Sequence, residues 1–295
     1  MSLTELLPLT QSERDQEKRL QALHKIEDDK LRYNTLIRYD VRLLLKLSIN
    51  NPEINRLCSG KGMESFWTDL LCSFDAGIQG DFTYQPMATL PSFELLKGLF
   101  LYDEYQTLIK ATPFTPKKQS FANTCLDKSA KYGCFFAMNA LCMNGLVSLN
   151  AKFDSKLALE VLSYASQAAE IYLSAGYLLF GNVCQSLCQY NMEEVLGSMN
   201  LKQNALEAFL VAEQLETISG PMIHNAYQGK SLSLASNNRI KSFAEAVVHA
   251  NEALHLSYDE VNMAFRSARS AAQKVKSQWD NNSEDLASNK VHALA

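Results

Sequence analysis

The sequence predicts an all-α fold, an N-terminal helical module followed by a short α-solenoid or an irregular helical bundle. Three observations carry this prediction. Only 7 Pro and 12 Gly punctuate the 295 residues, and segments with the period-two alternation of a half-buried strand are hard to find. Helix starts are spelled out at Thr10-x-x-Glu13, Asn200-x-x-Gln203, Ser242-x-x-Glu245 and Ser257-x-x-Glu260, where a capping side chain satisfies the orphan amides of a first turn. Beyond Ser120 the chain turns Ala-rich and keeps helical spacing almost to Gln278.

Residues 1–26 read as a helical extension. From Glu13 to Ile49 the steps between Leu20, Leu23, His24, Ile26, Leu31, Leu36 and Ile37 predict one long helix or two, with Glu27-Asp28-Asp29 as the break. Asn51 then caps a new helix with Pro52 at its first position, where the missing N–H costs nothing. Leu44, Leu47, Ile54 and Leu57 share one apolar face around that turn, and Phe66-Trp67 opens the next helix. Between Gly77 and Pro116, turn residues enclose a single predicted helix from Ser92 to Lys110. This divides the chain into a helical module with an irregular connector over 27–116, a helical repeat region over 117–278, and a tail over 279–295 whose polar composition predicts disorder.

Composition narrows the function. A net charge of −4 without basic blocks argues against nucleic acid, whose backbone demands a basic face. The N-terminus lacks a basic segment leading into an apolar one, so a secretory signal peptide is not expected. The most apolar stretch, IYLSAGYLLFGNV, is too short for a membrane span, which takes about 20 apolar residues. The seven Cys, at 58, 72, 125, 134, 142, 184 and 188, form no C-x-x-C pair and lie mostly among Ala, Leu and Phe, which fits a reducing, cytoplasmic compartment.

The second half carries an internal repeat. At an offset of about 38 residues, Ala130 aligns with Ala168, Phe135 with Leu173, Ala137 with Ala175 and Leu141 with Leu179. Small residues at such a period let paired helices approach closely. The stretch KSAKYGCFFAMNAL, with Ser129-Ala130, Gly133, Ala137 and Leu141, resembles the framework of Sel-type repeats, relatives of the tetratricopeptide repeat. That resemblance implies a solenoid with a concave, ligand-holding face. Tyr132, Asn139, Tyr172, Asn182, His224 and Tyr227 are candidates for that groove, or else half-buried side chains of a bundle.

Leu44-Leu45-Lys46-Leu47-Ser48, Ile54, Leu57-Cys58, Phe66-Trp67 and Leu70-Leu71 resemble, in their order, the second half of an F-box. The resemblance implies docking to a Skp-type adaptor of a cullin-RING ubiquitin ligase through Leu44, Leu47, Ile54, Leu57, Phe66 and Trp67. Ordinary core packing accounts for the same six residues. The tail, with Glu284-Asp285 and a final Val-His-Ala-Leu-Ala, is similar to the C-terminal export signals of bacterial type IV secreted effectors, which implies delivery into a host cytosol.

Catalytic and metal motifs are not found. The five His include no H-E-x-x-H, Cys184 and Cys188 at i, i+4 lack further ligands, and Ser59-Gly60-Lys61-Gly62 lacks the spacing of a phosphate loop. No catalytic residue, cofactor or metal is expected. The favoured reading is a non-enzymatic protein-binding protein. An enzyme whose site is assembled around Cys134, Cys142 or His224, or a purely structural capping role for the N-terminal module, are the alternatives.

Overall fold

The computed structural model describes residues 7–23, 29–36, 38–60, 63, 93–113, 115–172, 174–190, 192, 195 and 199–212, with isolated positions between 263 and 277. Its fold is all-α. In chain order the helices are α1 (Gln11–Ala22), α2 (Asp29–Leu36), α3 (Val41–Asn50), α4 (Pro52–Cys58), α5 (Phe93–Lys110), α6 (Pro116–Lys131), α7 (Phe135–Ala151), α8 (Ser155–Ile171) and α9 (Ser174–Leu187). A further helical stretch, α10, covers 201–212. No helix among the described residues is long and apolar enough to cross a membrane. The chain forms two compact units, one comprising 1–83 and 91–137, the other 84–90 and 138–295, so the division falls inside α7. Helix α6, which starts at the boundary expected at 116, lies wholly in the first unit.

The first unit begins at a reciprocal capping box. Thr10 Oγ1 accepts from the Glu13 amide at 3.3 Å while Glu13 Oε2 accepts from the Thr10 amide at 2.6 Å. Helix α1 buries Leu20 and is held to α3 and α4 by two polar ties: Lys46 Nζ reaches Glu13 Oε1 at 2.8 Å, and Asn51 Nδ2 donates to Glu17 Oε1 at 2.9 Å. The apolar periodicity to Ile49 hides a helix break at 38–40. There Arg38 and Tyr39 amides donate back to Thr35 and Leu36 carbonyls, and the Asp40 carboxylate accepts from the Leu43 amide at 2.9 Å. An Asp at that position offers the chain a new helix start, which outweighs continuation of the old one.

Asn51 and Pro52 behave as their types dictate. Asn51 Oδ1 accepts from the Glu53 and Ile54 amides, and Pro52 occupies the first turn of α4. Helix α5 packs against α3 and along α6. Helix α6 starts on Thr115-Pro116, with Thr115 Oγ1 accepting from the Lys118 amide. It ends in a Schellman turn, in which Cys134 N donates to Ser129 O at 3.1 Å and Gly133 N to Ala130 O at 2.8 Å. Gly133 adopts φ 87°, a left-handed backbone that costs a side-chain-bearing residue energy, so glycine suits the position.

In the second unit helices approach through small residues. A Cβ on Gly176 would run into the Ala168 backbone on α8, one on Gly145 into the Val161 side chain, and one on Gly181 would lie 2.7 Å from Cε1 of Phe209 on α10. Asp154 caps α8, and Asn200 caps α10 by accepting from the Gln203 amide at 3.1 Å. Among the turn contacts, Phe153 stacks on Tyr190 with centroids 4.7 Å apart, and Tyr190 Oη donates to Asn150 Oδ1 at 2.8 Å.

Candidate functional site

The most unusual chemistry among the described residues is a buried ammonium group in the first unit. Lys97 sits one turn into α5 with only 2% of its surface exposed. Its Nζ donates to Asn55 Oδ1 of α4 at 2.8 Å and to Glu94 Oε1 one turn earlier at 2.6 Å. The same cation lies 5.3 Å from the centroid of Phe93 and 4.6 Å from that of Tyr132. A lysine so deeply buried is held only if it is paired and hydrogen-bonded. Here one carboxylate, one amide oxygen and two ring faces supply that environment.

Local structure explains each partner. Glu94 and Phe93 occupy the first turn of α5, so a side chain three or four residues on lies over them. Tyr132 is the C-cap residue of α6, and the Schellman turn fixes where its ring begins. Close approach of α5 and α6 depends on Gly98, where a Cβ would stand 3.1 Å from Ser129 O and 3.2 Å from Tyr132 Cβ. Ser129 Oγ, itself buried, donates to the Gly98 carbonyl at 2.6 Å. Burial and then the Glu94 carboxylate raise the Tyr132 phenol above its usual value. Through these bonds and ring contacts Lys97 ties α4, α5 and α6 together.

The thiols are buried too. Burial pushes Cys58, Cys125, Cys142 and Cys184 up to about 12, the Cys58 effect partly countered by Lys97, and also raises Cys134. Such groups stay protonated at neutral pH and lack the thiolate that nucleophilic chemistry needs. Among the described residues no group of three or more His, Cys, Asp or Glu is placed to hold a metal ion.

A different kind of surface runs along α7 in the second unit. This helix has no charged residue in its sequence, FFAMNALCMNGLVSLNA. One side buries Met138, Cys142 and Leu149, yet Met143 and Val147 are 39% and 69% exposed on the side away from them. Phe153, in the turn that follows, is also exposed at 39%. An ordinary surface helix places charges on its outer face; this one presents Met143 and Val147 among the uncharged Asn144 and Ser148.

Comparison with known proteins adds a family and a fold. The model of a family of unknown function, DUF5630, matches residues 33–249. The chain belongs to that family. The matched DUF5630 segment contains the whole Lys97 clamp and all of α7. The chain is also similar in fold to the crystal structure of the uncharacterised Legionella protein lpg1670, at 24% sequence identity and a TM-score of 0.67, covering 90% of this chain and 99% of that one. Comparison with curated proteins finds no match.

In this DUF5630 chain the residues singled out from sequence do not gather at one place. Leu44, Leu47 and Ile54 are completely buried and Leu57 is 7% exposed, all within the first unit, while Phe66 and Trp67 lie outside the described residues. Of the groove candidates, Tyr132 belongs to the Lys97 clamp in the first unit. Asn139 is half-buried, Tyr172 buried and Asn182 exposed in the second; His224 and Tyr227 lie outside the described residues. Sequence reasoning missed Lys97. The available signal was a lysine inside the otherwise uncharged run Leu95 to Leu101, in a helix with little amphipathic contrast.

Proposed function

We propose that this chain is a non-enzymatic interaction protein that binds a protein partner through the exposed apolar face of α7 and the turn after it. The observation that carries this reading is the charge-free α7 with Met143 and Val147 turned outward. An exposed apolar patch rimmed by polar residues is the mark of a contact surface. The packing of α8 on α9 supports the helical-repeat reading, since such a helix pair is the unit of Sel-type and tetratricopeptide arrays. Raised, buried thiols favour binding over the thiol-enzyme alternative.

The decisive experiment compares Met143→Glu/Val147→Glu with the wild type in affinity capture from a eukaryotic lysate, with thermal unfolding of both proteins as a control. Bound proteins recovered by wild type and lost by a stably folded double variant are the expected result. Identical captures from both would end the α7 reading.

An adaptor of the Skp type is the partner that the N-terminal resemblance suggests, and an effector delivered into a host cell is the setting. That docking reading takes second place, because Leu44, Leu47 and Ile54 already face the interior of their own unit and would have to leave it. Purified adaptor tested against the full chain decides the point. Stoichiometric binding, abolished by surface substitutions around α3 that leave the fold intact, would restore adaptor docking to first place.

A further inference from the structure

We propose that a cleft between α1 and the turn at 38–40 binds a compact oxyanion, a phosphate monoester or a small carboxylate. The cleft, of about 630 Å³, is within the range of small-ligand sites. One wall is a stripe of α1 bearing Ser12, Asp15, Gln16 and Arg19; the other is Arg38, Tyr39 and Asp40. The α1 stripe flanks the side of that helix already used by Glu13, Glu17 and Leu20 to dock on the unit. Both walls are therefore fixed, the first by the Lys46 and Asn51 ties and the second by the backbone bonds of the turn.

The charges in the cleft are unequal in their commitments. Asp40 is engaged by the Leu43 amide at 2.9 Å, and Asp15 accepts from Gln11 Nε2 at 3.3 Å. Arg19 and Arg38 have no ion-pair partner among the described residues. Two arginines without an ion-pair partner among the described residues line one cleft together with Ser12, Gln16 and Tyr39, and guanidiniums are the planar donor forks that carboxylate and phosphate oxygens fit. The two aspartates of the same lining disfavour an extended polyanion such as a nucleic acid, whose further charges they would repel. This site is independent of the α7 surface.

The test is a titration of the full chain followed by amide NMR, with inorganic phosphate in one arm, glutarate in another, and sodium chloride at matched ionic strength as reference. Saturable shifts at Gln16, Arg19 and Tyr39 are expected. Saturation by phosphate alone identifies a phosphoryl ligand, by glutarate alone a carboxylate ligand, and by both a general oxyanion site. Arg19→Gln/Arg38→Gln should weaken binding roughly tenfold or more, with other amides unmoved because both side chains are exposed. Arg19→Lys/Arg38→Lys, which keeps the charge but loses the fork, should still lose several-fold. Linear shifts that track the chloride reference, saturable shifts that survive in the Gln variant, or undiminished affinity in the Lys variant would each overturn the proposal.

Discussion

Helices of the first unit are joined by charged and polar side chains reaching across from one to the next, whereas helices of the second meet where side chains are nearly missing. Lys97 with Asn55 and Glu94, Lys46 with Glu13, and Arg42 with Asp103 at 2.8 Å are ties of the first kind. Gly145, Gly176, Gly181 and the fully buried Ala165 and Ala168 are contacts of the second. The difference teaches that one chain can hold its helices by two independent means. The first unit, where Gly98 is the one small-residue approach among those named, should respond chiefly to charge and pH, the second to volume.

Truncating Lys97 tests this contrast most severely. Lys97→Ala removes a buried cation, strands Asn55 Oδ1 and opens space between Phe93 and Tyr132, so a loss of about 3–5 kcal/mol is expected in denaturant unfolding. Lys97→Met restores most of the volume without the charge and should cost distinctly less, since Glu94 is 46% exposed and can return to water. Equal losses for the two variants would mean that the lost cation sets the cost and that filling the space does not matter. Gly176→Ala comes next, at about 1–3 kcal/mol, because the added methyl meets backbone rather than a side chain that can swing away. Gly145→Ala, which meets the Val161 side chain, should cost less; the reverse order would refute the backbone argument.

Acid discriminates between the units more gently. Burial alone would raise the Glu13 carboxyl, but hydrogen bonds from Lys46 and Thr10 outweigh it and hold the group below its ordinary value. A carboxyl depressed in the folded state contributes stability above its unfolded pKa and loses it as pH falls through the folded one. Amides of α1 should therefore lose protection from hydrogen exchange as pH drops below about 4, ahead of those in α8 and α9. Glu13→Gln keeps a capping residue type and should remove that acid sensitivity, at less than about 1 kcal/mol near neutrality.

Alkali should act on both units, since each contains thiols raised to about 12, Cys58 and Cys125 in one, Cys142 and Cys184 in the other. Their stabilising effect is complete below the unfolded thiol pKa and falls away as pH rises from there toward 12. The smallest effect concerns alkylation of the native protein at neutral pH. Among the described cysteines, the half-buried Cys188 should react first, with Cys58, Cys125, Cys134, Cys142 and Cys184 protected until unfolding. Peptide mapping that found Cys142 modified as early as Cys188 would contradict the packing described here.

Local chemistry made much of the fold legible in sequence. Thr10 with Glu13, Asn51 with Pro52, and Asn200 ahead of Gln203 each act within a few residues, and each does what its type requires. The helix predicted from Ser92 to Lys110 is α5, first described at Phe93. Asp40 escaped notice because the apolar spacing runs unbroken across the helix start it makes. Lys97 escaped because its site depends on Asn55, 42 residues away, and on Tyr132 beyond it. Likewise, periodicity placed Leu44, Leu47 and Ile54 on an apolar face, but whether a face meets its own chain or a partner is a property of the folded molecule.

The Lys97 clamp has a consequence for the order in which the chain can be completed during synthesis. Asn55 leaves the ribosome first, then Phe93, Glu94 and Lys97, and Tyr132 only after the whole of α6. Until that tyrosine arrives, Lys97 has Asn55, Glu94 and Phe93 but lacks one of the two rings that shelter it. The clamp in the N-terminal part of this protein is therefore complete only once the residue at the end of α6 is in place.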